Sequence, residues 1–414
     1  MRASRAAAFA ALMLAAVTAL PAAPTAAAAT TGQVGPAGTW YSMSNYRVLD
    51  TRVGKNVPVG TVGPDSITRL DVTKVLFGIT PTAVVMNVTA VDATDNSFIT
   101  AFPDGQALPT VSNLNATPNH RVTSNRATVQ VGADGVVNIY NHVGRVHLVV
   151  DLQGYYSDRD GGGDGGRFVV GEPTRLLDTR TAIGGHPGKL VGGTAGVINL
   201  DASSVGSPSD NMVVQATVTE PTESAHLTMY PAGQSPWNTS DLNFDPGQTV
   251  TNLSYAYTTG DRRLALYANS GEAHVVVDYI GGFVRRANDS SSSGKFIPVN
   301  PVRVLDTREG LGAAEAKAAP GSTTRVKVTG LNGVPETVAA VVLNLTGTNA
   351  GEDGHITAFR AGAARPSTSS LNYTGNEDTG AMTVVPVSTD GYVELYNPHG
   401  SVDLVADVQG YYSS

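Results

Sequence analysis

The stretches YRVLDTR (residues 46–52), TRLLDTR (174–180) and VRVLDTR (302–308) write one phrase three times. Their aspartates, Asp50, Asp178 and Asp306, stand 128 and 128 residues apart. Other anchors keep nearly the same interval: Asn115, Asn243 and Asn372 are separated by 128 and 129 residues, and Asp151, Asp278 and Asp407 by 127 and 129. Each copy closes on a related word, VVDLQGYY (149–156), VVDYIGGF (276–283) and VADVQGYY (405–412), and the middle copy diverges most. Solenoid repeats run about 20–50 residues, so this longer period is that of a domain able to bury its own core.

Within a copy the apolar residues alternate with period two, the mark of a half-buried strand. Leu70 and Val72 share a face, as do Ile198 and Leu200, and Val326 and Val328. Val84, Met86 and Val88 form another apolar face, matched by Met212, Val214 and Ala216 and by Val341, Leu343 and Leu345. The opposite face carries Asn87 and Thr89, Gln215 and Thr217, and Asn344 and Thr346, a repeated polarity that implies either solvent or a hydrogen-bonded site. The turn words PDG, ADG and STDG separate further short strands, and helical periodicity is nearly absent beyond the N-terminal segment. The expected fold is all-β: three tandem antiparallel β-sandwiches, jelly-roll-like, with the first and last words of each copy on neighbouring strands.

The expected layout is a signal peptide at 1–29, modules at 30–157, 167–286 and 295–414, a Gly-rich linker at 158–166 and a Ser-rich linker at 287–294. The pattern accommodates beads on linkers and a closed pseudo-threefold cluster alike. Arg2 and Arg5 precede an apolar run from Ala6 to Leu20 and then small residues, which reads as a secretory signal and sets the expected location outside the cytoplasm or at the cell surface. That run is shorter than the ~20 residues a spanning helix needs, and no later segment is long and apolar enough, so no membrane span is expected.

The chain contains no cysteine, which excludes disulfides, thiolate metal sites and a cysteine nucleophile. With 27 basic and 35 acidic residues the net charge is −8, and no basic cluster breaks it, so nucleic acid is an unexpected partner.

The opening RVLDTR and the closing DLQGYY and DVQGYY resemble the paired words of tandem β-rich modules in secreted actinobacterial proteins, found alone or beside extracellular enzymes. The resemblance runs from Tyr46 to Tyr412 and implies a secreted, surface- or substrate-associated role, with no catalytic residues to carry over. The middle copy departs from it at VVDYIGGF.

No G-x-S-x-G elbow, H-E-x-x-H helix, EF-hand loop or P-loop is present, and no cofactor, metal or catalytic residue is expected. His226 and His355 share a position, but the first copy places Phe98 there, as a packing site allows. The recurring Asp50 and Asp151 could serve as a two-acid site. The pairs Asp50 and Arg52, Asp178 and Arg180, and Asp306 and Arg308 read more readily as structural polar anchors, each Asp and Arg on one face of a strand. The stretch SDRDGGGDGG (157–166) has oxygen ligands for calcium but occurs once, which favours a solvated linker. Sugar binding asks for aromatic faces and amides. Tyr140, Tyr267 and Tyr396 recur, as do Asn115, Asn243 and Asn372, and these are the candidate ligand-binding residues; Trp40 and Trp237 have no tryptophan counterparts. The expected function is non-enzymatic, multivalent attachment to an extracellular polysaccharide or cell-wall polymer. The alternatives are a self-associating structural or adhesive component and a hydrolase of unfamiliar kind.

Overall fold

The computed structural model describes residues 34–158, 165–205, 211–285 and 291–414. The expected signal peptide, most of the expected Gly-rich linker and half of the expected Ser-rich linker lie outside these residues. The first module has eight strands: β1 (Thr39–Asp50), β2 (Ser66–Asp71), β3 (Ala83–Val91), β4 (Ser97–Pro103), β5 (Leu114–Ala116), β6 (Val122–Gln130), β7 (Val136–Asn141) and β8 (His147–Ser157). They pair antiparallel into an inner sheet ordered β1-β8-β3-β6 and an outer sheet ordered β2-β7-β4-β5, which is a jelly roll. The second and third modules repeat both orders, the second with a short added strand, Leu190–Val191. Among the described residues, no helix is long and apolar enough to cross a membrane.

The period-two faces sort as the alternation implies. Val84, Met86 and Val88 fill the first module's core with Leu49, Ile99 and Ile139, and equivalent residues fill the other two. First and last words lie side by side, with Arg47 opposite Asp151, Arg175 opposite Asp278 and Arg303 opposite Asp407.

The three modules close into a pseudo-threefold cluster. Trp40 of the first module pairs with Gly166 of the second. The Phe168 N–H donates to the Gly294 carbonyl at 2.8 Å, and the Phe296 N–H to the Gly38 carbonyl at 2.9 Å. Gly166 thus already belongs to a strand, so ordered pairing begins inside the stretch expected as a linker.

A fourth apolar core sits where the modules meet. Trp40, Phe168 and Phe296 occupy one equivalent position, and each ring stacks on the closing aromatic of the next module. Trp40 meets Phe283 at 5.2 Å, Phe168 meets Tyr412 at 4.1 Å and Phe296 meets Tyr156 at 4.5 Å. Trp40 therefore does recur, as phenylalanine, because the position uses aromatic area; its indole N–H is buried without a partner. Apolar burial of this kind is worth roughly 25 cal/mol per Å² and ties the modules into one unit. The glycine of each closing word serves the same contact. A Cβ at Gly154, Gly281 or Gly410 would lie 2.3, 2.6 or 2.4 Å from the ring of Trp40, Phe168 or Phe296.

Candidate functional site: the clefts between modules

Each inner sheet turns its polar face toward the outer sheet of a neighbouring module. The Asn87 amide donates to the Ser240 carbonyl, and Asn344 to that of Ser112, both at 2.8 Å; Gln215 reaches the Ser370 carbonyl at 3.4 Å. The repeated polar face is thus a hydrogen-bonded module interface. It holds one buried ion pair: the Arg126 guanidinium, wholly buried, donates to Asp241 at 3.2 Å and to the Leu253 carbonyl at 2.9 Å. Gln153 and Ser254 also donate to Asp241, at 2.7 and 2.8 Å. The equivalents of Arg126 are Leu253 and Met382, so the charge occurs at one interface only.

The candidate asparagines lie on these interfaces. Asn243 donates to the Ser124 hydroxyl of the first module at 2.9 Å, and Asn372 to the Thr251 hydroxyl of the second. Asn115 faces Gly380 of the third, where no hydroxyl exists, and among the described residues its amide has no hydrogen-bond partner. The candidate tyrosines lie on the outer sheets. Tyr140 donates to Asp65 at 2.5 Å, a bond that raises its pKa; Tyr396 carries the Arg365 guanidinium over its ring at 3.8 Å; Tyr267 is half-buried. The structure does not gather the three tyrosines into one site; each asparagine faces a neighbouring module, and all three line one small hollow of about 60 Å³ where the modules meet.

The Asp–Arg pairs lie in turns. Each strand ends at the aspartate, whose one carboxylate oxygen accepts from the arginine's backbone N–H and Nε while the other accepts from Nη2, at 3.0, 2.9 and 2.7 Å for Asp50 and Arg52. The expectation that Asp and Arg share a strand face is corrected accordingly: the arginine folds back from the turn. Arg180 and Arg308 repeat this, and their hydrogen bonds hold Asp178 and Asp306 below the usual carboxylate range. At Asp50 burial pulls upward and the Arg52 bonds outweigh it. Arg47, Arg175 and Arg303, three residues before the aspartate of each repeated phrase, clamp the closing aspartates with Nε at 2.8, 2.8 and 3.0 Å. Both acids of the conceivable two-acid site are thus held by guanidinium groups. Burial pushes Asp407 up to about 6 against the pull of Arg303, and it also lowers the His226 and His355 pKa values.

Between the first module's outer sheet and the third module's inner sheet runs a cleft of about 520 Å³. Phe98, Leu108, Asn115, Tyr140 and His142 line one wall, and Arg303, Arg308, Thr346, Asp378 and Val405 the other. An adjoining hollow of about 240 Å³ shares Phe98, Asn115 and Asp378 and continues to Asn119 and Glu377. The counterpart between the second and first modules measures about 310 Å³, with His226 in place of Phe98 and with Arg47 and Arg52 on the facing wall. Among the described residues, no group of three or more His, Asp or Glu side chains is arranged to hold a metal ion.

No family model matches the chain, and no curated protein matches it. Two solved virus structures align along it. One is that of the Sulfolobus turreted icosahedral virus, 11% identical with 91% of each chain covered and a TM-score of 0.20. The other is an archaeal virus structure with a triple jelly-roll fold and turret assembly, 9% identical with 91% of each chain covered and a TM-score of 0.19. Likenesses this distant carry no argument about this chain's role.

Proposed function

We propose that the chain is a non-catalytic extracellular binding protein that holds a polysaccharide through the clefts between its modules. The observation that carries this reading is the 520 Å³ cleft, where ring faces of Phe98, Tyr140 and His142 stand opposite arginine and aspartate side chains. Saccharides present apolar C–H faces beside hydroxyls that both donate and accept, and such a wall answers both. The N-terminal basic, apolar and small-residue segment supports export. Because each cleft is built from two modules, the binding unit is the closed cluster, not the single module.

The test is retention of residues 30–414 on insoluble cell walls, chitin and cellulose. Saturable retention on one polymer, weakened by Phe98→Ala, is the expected result. No retention on any polymer, together with concentration-dependent assembly in sedimentation without ligand, would replace this reading with a self-associating structural role.

A further inference from the structure

The three interfaces are equivalent in construction and unequal in state, and the inequality selects one of them. Resting on the saccharide reading above, we infer that the cleft between the first and third modules is the working site, and that it takes one neutral pyranose segment per chain.

Asn243 and Asn372 are spent on Ser124 and Thr251, which closes their interfaces with a hydrogen-bonded clasp. Asn115 meets Gly380 instead, so its carboxamide keeps a donor and an acceptor for a ligand. The glycine is not forced by the backbone. Its φ is not positive, and a Cβ there would sit 3.6 Å from Asn115 Nδ2, an ordinary contact. A serine would fit and would close the clasp, yet the position holds glycine.

The rest of the cleft supplies the other half of a sugar site. The Phe98 and His142 rings stack on each other at 4.4 Å and 24°, which covers one face of each and leaves an outer ring face for a pyranose, where the second and third modules place His226 and His355 at the Phe98 position. Across from them, Arg308 has Nε and Nη2 committed to Asp306, leaving Nη1, and its side chain is 40% exposed. One oxygen of Asp378 accepts from Thr348, leaving the other. Free donors and a free acceptor beside an aromatic face match vicinal hydroxyls, each of which donates to a carboxylate and accepts from an amide or guanidinium. Charge then decides the class. Arg303 and Arg308 are offset by Asp306, Asp378 and Asp407, so the cleft has no surplus positive charge for a uronate or phosphate polymer.

The experiment is calorimetric titration of the whole chain at neutral pH with cellohexaose, chitohexaose and mannohexaose, and with oligogalacturonate as the anionic probe. One neutral oligomer is expected to bind at one per chain. Asn115→Ala and Gly380→Ser should each weaken it about tenfold or more, while Asn243→Ala leaves the affinity within about twofold, on the scale where tenfold corresponds to about 1.4 kcal/mol. Gly380→Ser installs the hydroxyl the other interfaces already have, so an undiminished melting temperature shows that its loss of binding is not loss of fold. Binding of three oligomers per chain, or equal losses in the Asn115 and Asn243 variants, would overturn the single-site inference and leave the saccharide reading standing. Tighter binding of oligogalacturonate would overturn the neutral class. Failure of every oligomer to bind would remove the saccharide reading and this inference with it.

Discussion

The interface between the first and second modules and that between the third and first are built from the same pieces. The first has the Arg126–Asp241 ion pair at its centre and an Asn243–Ser124 clasp beside it. The other has Met382 at the position of Arg126, glycine at the position of Ser124, and the larger cleft. Replication of a module gives three equal seams; substitution at a few facing positions turns one into a fastener and leaves another open. A buried ion pair at one seam and a larger cleft at another thereby distinguish seams that the repeat alone would make identical.

The comparison breaks most visibly at the buried charge. Asp241→Ala leaves Arg126 wholly buried without its counter-charge and should cost about 3–5 kcal/mol in chemical denaturation. Arg126→Leu combined with Asp241→Asn installs residues that equivalent positions already hold, Leu253 and Asn113, and should lose far less than Asp241→Ala alone. If the single and double variants lose the same amount, the ion pair is not what fastens this seam.

The clamps between first and last strands differ in the same sense. Arg47 holds Asp151 at 2.8 and 3.1 Å, whereas Arg303, beside the open cleft, holds Asp407 at 3.0 and 3.5 Å. Burial raises Asp407 from 3.8 to about 6. A carboxyl whose folded pKa exceeds its unfolded value contributes stability that is full below the unfolded pKa and is lost as pH rises through the folded one. Asp407→Asn removes that loss. Its stability relative to the parent chain should therefore increase by about 2 kcal/mol between pH 4 and pH 7, from about 1.4 kcal/mol per pKa unit with part of the change falling below pH 4. Asp50 and Asp178 have lowered values and act in the opposite direction, but they are remote from Asp407, common to both proteins and cancel; Asp306, which shares Arg303 with Asp407, titrates at lower pH than this window. A difference that does not change with pH would show that Asp407 does not titrate in this window.

At the shared aromatic core the seams should respond alike. Gly154→Ala and Gly410→Ala both drive a methyl into a ring, and each should cost about 1–3 kcal/mol as overpacking. A large effect at one and none at the other would mean that the core is not threefold in energy.

The jelly roll was legible in the sequence because its cause is local: period-two alternation and turn words recur in every copy, whereas the polar face of Asn87, Gln215 and Asn344 fitted solvent and a hydrogen-bonded site equally. The cleft was not. Asn115, Asn243 and Asn372 look interchangeable along the chain, and they separate only once Ser124, Thr251 and Gly380 are known to face them from other modules. Arg303 stands in the repeated phrase, but its partner Asp407 lies 104 residues away across a strand pair, a separation that the local Asp–Arg spacing of two does not reveal. Trp40 has no tryptophan counterpart, but aromatic character at the repeat interval, Trp40, Phe168 and Phe296, marks the central core.

The smallest expected effect is the most discriminating for the seams themselves. A side-chain hydrogen bond across an interface is worth about 1 kcal/mol net. Asn243→Ala and Asn372→Ala each remove one such bond and a second to Ser240 or Ser369 of their own module, and take a partner from a half-buried or buried hydroxyl on the neighbouring module, so each should lower stability by about 1–2 kcal/mol. Asn115→Ala removes no intramolecular bond and should leave the denaturation midpoint unchanged. Gly380→Ser, by giving Asn115 the partner its equivalents have, should raise the midpoint and move the third seam toward the other two. If Asn115→Ala destabilises as much as Asn372→Ala, the amide is engaged within the protein, and the difference between the open and the fastened seam must then reside in the ring platform and the buried charge rather than in the clasp.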